Sequence, residues 1–130
     1  MARQSSGWNT LPTNNIWLGR ADPMSDEAKP NAGPYADIAP ALNDYTRQVL
    51  FGQVWERTEL PKRDRSLITV ATLVALYRVN ELPFHLKYAL QNGVTQEELI
   101  ELITHLAFYA GWPTANTAIE IARKAFAESP

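Results

Sequence analysis

Glu81 and His85 lie four residues apart, a spacing that on a helix stacks two side chains about one turn apart on a single face. A carboxylate in that position holds an imidazole in one tautomer and raises its pKa, which suits a general acid working near neutral pH. The same spacing also serves an ordinary surface pair, common on any helix. Arg78 stands three residues before Glu81, and Arg65 opens a strongly apolar stretch. Each reads either as a clamp for an anion or as a solvated or structural cation. His105 falls on a polar stripe with Glu98, Glu101 and Tyr109, which fits an exposed face or the lining of a site. Trp112, at a Gly-Trp-Pro corner, either packs a helix turn or walls a pocket, and Asn116 follows one turn later as a surface amide or a polar contact. Together these residues offer a possible acid pair and two candidate cations, and no substrate.

Helices must position them. From Ala41 onward apolar residues recur at helical spacing: Leu42, Tyr45 and Val49 share a face, and Leu50 continues to Val54 on an adjoining one. The first helix is expected over about Ala41 to Trp55. Pro61 suits the opening turn of a second, whose body from Leu67 to Tyr77 is apolar nearly all round, so that part of its surface is expected to face another subunit. Asn80 is the expected N-cap of a third helix, Glu81 to about Gln91, ended by a left-handed C-cap at Asn92-Gly93. Thr95 and Glu98 have the spacing of a capping box for a fourth helix, which runs to Tyr109 or Ala110 and stops at Gly111. Pro113 opens the fifth, lined by Ala115, Ala118, Ile119, Ala122 and Phe126. No segment shows a period of two, so the class is all-α, a compact bundle of five main helices spanning residues 41–130.

Residues 1–40 are different. They hold five of the nine prolines and three of the six glycines, which breaks any regular period and predicts an irregular arm. Yet Trp8, Leu11, Ile16, Trp17, Leu18 and Tyr35 are more apolar than a solvated segment needs, so the arm is expected to dock, with Ile16-Trp17-Leu18 on a neighbouring protomer and Arg20 near an anionic ligand. With 130 residues, 45% of them hydrophobic, the chain has material for one core. Twelve Lys and Arg against fourteen Asp and Glu give a net charge of -2 with no basic field, which argues against nucleic acid as a partner. The sequence contains no cysteine and two histidines, so thiol chemistry is excluded and a metal site is not expected. Without an apolar leader or a long apolar run, the chain reads as a cytoplasmic protein that does not enter the membrane.

Five motifs in order carry a family resemblance: Trp55-Glu56-Arg57, Leu60 to Thr69 (LPKRDRSLIT), Asn80-Glu81-Leu82-Pro83-Phe84-His85, Asn92-Gly93-Val94-Thr95, and Tyr109 to Asn116 (YAGWPTAN). They resemble the carboxymuconolactone decarboxylase family over roughly Leu42 to Phe126. The resemblance implies the alkylhydroperoxidase D-like helical fold, assembled as a homo-oligomer, trimer or hexamer. The redox branch of that family has a CxxC and a following histidine that would fall on Arg78, Glu81 and His85, and a glutamate that would fall on Ser66; only the histidine matches, so thiol peroxidase activity is excluded. Glu81 and His85 match the Glu-Leu-x-x-His of the decarboxylase branch. The resemblance implies a cofactor-independent decarboxylase of aromatic catabolism acting on a small anionic lactone or ring acid, which serves as its own electron sink. His85 is then the acid, Glu81 its orienting partner, and Arg65 or Arg78 the cation for a carboxylate or oxyanion, with His105, Trp112 and Asn116 as further contacts. Ala110 stands where decarboxylases often have cysteine, and His105 to Pro113 looks more like a large subgroup apart from the pathway enzyme. A non-enzymatic oligomeric binding protein of the same fold, or a lactone hydrolase or isomerase using the same pair, are the alternatives.

Overall fold

A computed structural model describes residues 33–129, so the expected docking of Ile16-Trp17-Leu18 and Arg20 lies outside the described residues. The chain divides into two compact units, Met1–Thr58 and Glu59–Pro130. In the first, a turn over residues 34–38 leads into α1 (Pro40–Asp44), with proline in its first turn where no amide hydrogen is needed. The helix then widens into π-helical turns over Tyr45–Val54. Gly52 permits this widening, because a Cβ there would stand 3.0 Å from the Arg47 carbonyl oxygen.

These wider turns change which face is covered. The apolar period picks out Leu42, Tyr45, Val49, Leu50 and Val54, yet Leu42, Tyr45, Leu50 and Val54 are 58%, 59%, 41% and 39% exposed and Val49 is half-buried. Buried instead are Asn43, Arg47, Phe51 and Trp55, every fourth residue, with the Phe51 and Trp55 rings stacked at 5.7 Å. In an α-helix four residues overshoot one full turn by about 40°, so such a set would spiral away from a straight line.

The second unit is a four-helix packing of α2 (Lys62–Ala75), α3 (Leu82–Gln91), α4 (Gln96–Ala110) and α5 (Trp112–Ala127). Helix α4 packs most extensively on α5, α2 packs on α3 and α4, and α3 packs on α5. Their shared core is built on Val70, Val74, Leu82, Leu86, Leu99 and Ile103, with four alanines of α5, Ala115, Ala118, Ala122 and Ala125, lying flat against it. Alanine at that spacing lets α5 approach closely. Of the nearly all-apolar α2, only one stripe, Ser66, Val70 and Val74, is buried, and Ile68 remains 54% exposed.

Helix ends follow local chemistry. Helix α2 stops at Ala75, two residues before the expected end, because Tyr77 takes a left-handed conformation (φ 58°). There the Arg78 amide donates to the Leu73 carbonyl and the Tyr77 amide to that of Val74, closing a Schellman turn without glycine. The third helix is capped at Glu81 rather than Asn80. With Asn80 as cap, Pro83 would occupy the third helical position, where the missing N–H removes one of the donors that a cap side chain bonds. Asn92-Gly93 ends α3 with Gly93 at φ 94°, and the Thr95–Glu98 capping box opens α4 with both bonds at 3.0 Å. Gly111 (φ 107°) then separates α4 from α5, with Pro113 in the first turn of α5.

Candidate active site

The Schellman turn throws Arg78 outward at the end of α2, and the late start of α3 leaves Glu81 in the connecting turn beside it. The Arg78 Nη2 donates to Glu81 Oε1 at 2.7 Å, across a pair whose side chains are both exposed. The hydrogen bond from Arg78 holds the Glu81 carboxyl below the usual carboxylate range, and the same bond raises the guanidinium. Glu81 therefore serves Arg78, not His85.

His85 lies one turn inside α3 and is half-buried. The Phe84 ring meets it edge-on at 5.0 Å, and the Tyr88 ring lies 6.3 Å away. Burial pushes the imidazole below its ordinary pKa, opposite to the direction that a carboxylate neighbour would give. The physical reason is positional: a glutamate at the cap stands outside the first turn, and a cation three residues earlier reaches it directly. Tyr88, buried and three residues after His85, joins the imidazole on the same side of α3. The i,i+3 spacing from His85 is the signal that places it there.

Arg65 and His105 have described contacts of their own. The Arg65 Nε donates to the Leu60 carbonyl at 3.0 Å, so that edge of the guanidinium holds the loop leading into α2. His105 is exposed on α4, its ring 4.9 Å from that of Tyr109. Trp112 and Asn116 do come together. They line a groove of about 180 Å³ with Ala115 and Ile119 of α5 and with Ile103, Thr104 and Ala107 of α4. Phe108 meets Trp112 edge-on at 5.1 Å, extending the aromatic rim. His85 is not among the lining residues of this groove.

A half-buried polar pair was not legible in the sequence. Ser66, 1% exposed, accepts a hydrogen bond from Asn92 Nδ2 at 3.0 Å and so ties the first half of α2 to the C-terminus of α3. Arg63 reaches Glu98, the capping-box glutamate, and links the starts of α2 and α4. Among the described residues no three of His, Cys, Asp and Glu gather in a way that could hold a metal ion, and no helix is long and apolar enough to cross a membrane.

The sequence is similar to known proteins. The model of the Carboxymuconolactone decarboxylase family matches residues 40–124, a span that contains all seven candidate residues. Over 90 residues, 69% of this chain and 67% of the relative, the sequence is 42% identical to a 4-carboxymuconolactone decarboxylase of Acinetobacter baylyi. It is 35% identical over 74 residues to a nitrosuccinic acid decarboxylase of Metarhizium robertsii, covering 57% of this chain and 52% of that protein. An uncharacterized 15.0 kDa protein of Paracoccus denitrificans is 27% identical over 93 residues, 70% of this chain and 69% of the relative.

Proposed function

The chain belongs to the carboxymuconolactone decarboxylase family, and we propose that it is a cofactor-independent decarboxylase of a small anionic lactone or ring acid. The observation that carries this reading is the 42% identity to a 4-carboxymuconolactone decarboxylase over 69% of the chain. A second relative named as a decarboxylase acts on a different acid, so the shared chemistry is loss of carbon dioxide rather than one substrate.

The substrate carries its carboxylate on a carbon whose released electron pair the rest of the molecule can accept, as an unsaturated lactone does. The bond from that carbon to the carboxylate breaks, carbon dioxide leaves, and the electron pair passes into the ring as an enolate-like oxyanion. A proton then closes the sequence at carbon. His85 donates it: the half-buried imidazole is neutral in the free protein, and an anionic substrate beside it favours the imidazolium form. The acid is therefore charged by the substrate it will protonate. Arg78 supplies the cation for a carboxylate, with Glu81 setting its position at 2.7 Å. Trp112 and Asn116 offer an aromatic wall and an amide in the groove between α4 and α5.

The test is to follow gamma-carboxymuconolactone by ultraviolet absorbance with and without the protein. Accelerated loss of substrate with release of carbon dioxide is expected, and His85→Gln is expected to abolish it while leaving helical circular dichroism unchanged. No acceleration would overturn the substrate, and equal turnover by the variant would remove His85 from the reaction.

A further inference from the structure

Phe84, His85 and Tyr88 close a triangle of rings on α3. Ring centroids lie 5.0 Å apart for Phe84 and His85, 5.7 Å for Phe84 and Tyr88, and 6.3 Å for His85 and Tyr88. The four-residue step from Phe84 to Tyr88 and the three-residue step from His85 to Tyr88 are those that bring side chains together on a helix, so one element supplies all three members. Exposure is graded across them. Tyr88 is 6% exposed with its hydroxyl shut off from solvent, His85 is half-buried with Nδ1 likewise covered, and Phe84 stands outermost at 41%. At 5.0 Å the edge-on contact leaves no room for water between the Phe84 and His85 rings, so the phenylalanine covers part of the imidazole.

We propose that Phe84 is a positioning residue for the reaction: its ring keeps water off the His85 imidazole, so that a bound anion, and not solvent, decides when the imidazole takes up its proton. The proposal rests on the decarboxylase reading of His85. A carboxylate acts on a neighbouring charge about four times more strongly near a protein surface than in bulk water, so excluding water strengthens the response of the imidazole to its substrate. The ring also restrains orientation. Histidine χ2 is a broad, nearly two-fold torsion, and a wall standing at 87° to the imidazole limits its rotation. Among charged groups on α3, Glu81 bonds Arg78 and Lys87 reaches Glu128; on the helices packed against it, Arg63 of α2 reaches Glu98, Arg65 bonds the Leu60 carbonyl, and Arg123 of α5 pairs with Glu120. Burial is the cause that lowers the His85 pKa, and the outer ring is the part of that burial most open to change.

Phe84→Ala and Phe84→Leu in the full chain test this with two readouts. Magnetic resonance of the imidazole gives the titration midpoint of His85 without substrate, and pH profiles of kcat and kcat/KM on gamma-carboxymuconolactone give its behaviour in the reaction. In Phe84→Ala the midpoint is expected to rise toward the ordinary value of about 6.5. The alkaline limbs of kcat and kcat/KM should draw together, since water then screens the bound anion. Each pH unit by which the kcat limb falls lowers kcat about tenfold on its alkaline side. Phe84→Leu, which keeps apolar bulk, should stay closer to the wild type in both readouts. Phe84→Gln repeats the alanine test without leaving a cavity, and so does not depend on the alanine variant folding. An unmoved midpoint in the alanine and glutamine variants, or a leucine variant indistinguishable from them, would overturn the proposal. A midpoint that rises in a chain without decarboxylase activity retains the shield and overturns only the reaction assigned to His85.

Discussion

At the scale of single residues, the decisive event is competition for one carboxylate. Glu81 can serve a helix neighbour one turn later or a guanidinium in the preceding turn, and the charged hydrogen bond at 2.7 Å wins. His85 is then governed by burial, and two outcomes follow. Its titration midpoint in the free protein, read by magnetic resonance of the imidazole, is expected below the ordinary value of about 6.5, and Glu81→Gln should leave it in place. A midpoint that falls further in Glu81→Gln would restore the direct pair. Because the folded value is the lower one, the unfolded chain takes up the proton first as pH falls. The contribution of His85 to stability is therefore complete above about pH 6.5 and declines as pH drops toward the folded midpoint. In the enzyme reaction, the alkaline limb of kcat, where the protonated acid is lost, should lie at higher pH than that of kcat/KM, since bound anion raises the same group. Coincident profiles would mean that the substrate does not charge His85.

At the scale of elements, the turns between helices set where the polar groups stand, and their cost can be measured. Thr95→Ala removes the acceptor of the Glu98 amide and should lower unfolding stability by about 1 kcal/mol in urea titrations at fixed protein concentration. Gly111→Ala, at φ 107°, should cost on the order of 1–2 kcal/mol although nothing lies within 4 Å of the added Cβ, because the strain is in the backbone itself. Tyr77→Gly tests the opposite case. The side chain is 56% exposed and its φ is 58°, so glycine should stabilise by up to about 1 kcal/mol; a loss of that size would mean that Tyr77 makes contacts worth more than the strain.

At the scale of the whole molecule, the described surface leaves many large apolar side chains uncovered. Ile68 and Leu76 at α2 are 54% and 67% exposed, and Phe108, Tyr109 and Trp112 around the α4–α5 corner are 74%, 78% and 56% exposed. Patches of this kind mark surfaces that another chain covers. We expect a homo-oligomer in light scattering at micromolar concentration, and Ile68→Glu should lower its mass while leaving the helical spectrum intact. A monodisperse wild-type monomer would contradict this. Assembly would also bear on the reaction, because within one chain His85 lies outside the groove lined by Trp112 and Asn116.

The helices and most of their ends were legible in the sequence because their causes are local. A capping box closes within four residues, glycine at positive φ ends a helix by its own backbone freedom, and a proline places itself in a first turn. Hence Thr95–Glu98, Gly93, Gly111 and Pro113 mark the boundaries in the string itself, and the absence of cysteine excludes thiol chemistry whatever the fold. Tertiary structure alone decided which face of the first helix is covered and that Ser66 meets Asn92 from 26 positions away. The face of the first helix departs from its apolar period because π turns replace the 3.6-residue repeat on which that reading depends. The Glu81 pairing departs because a proline shifted the helix start by one residue, and a one-residue shift moves a carboxylate from the helix face into the turn where Arg78 waits.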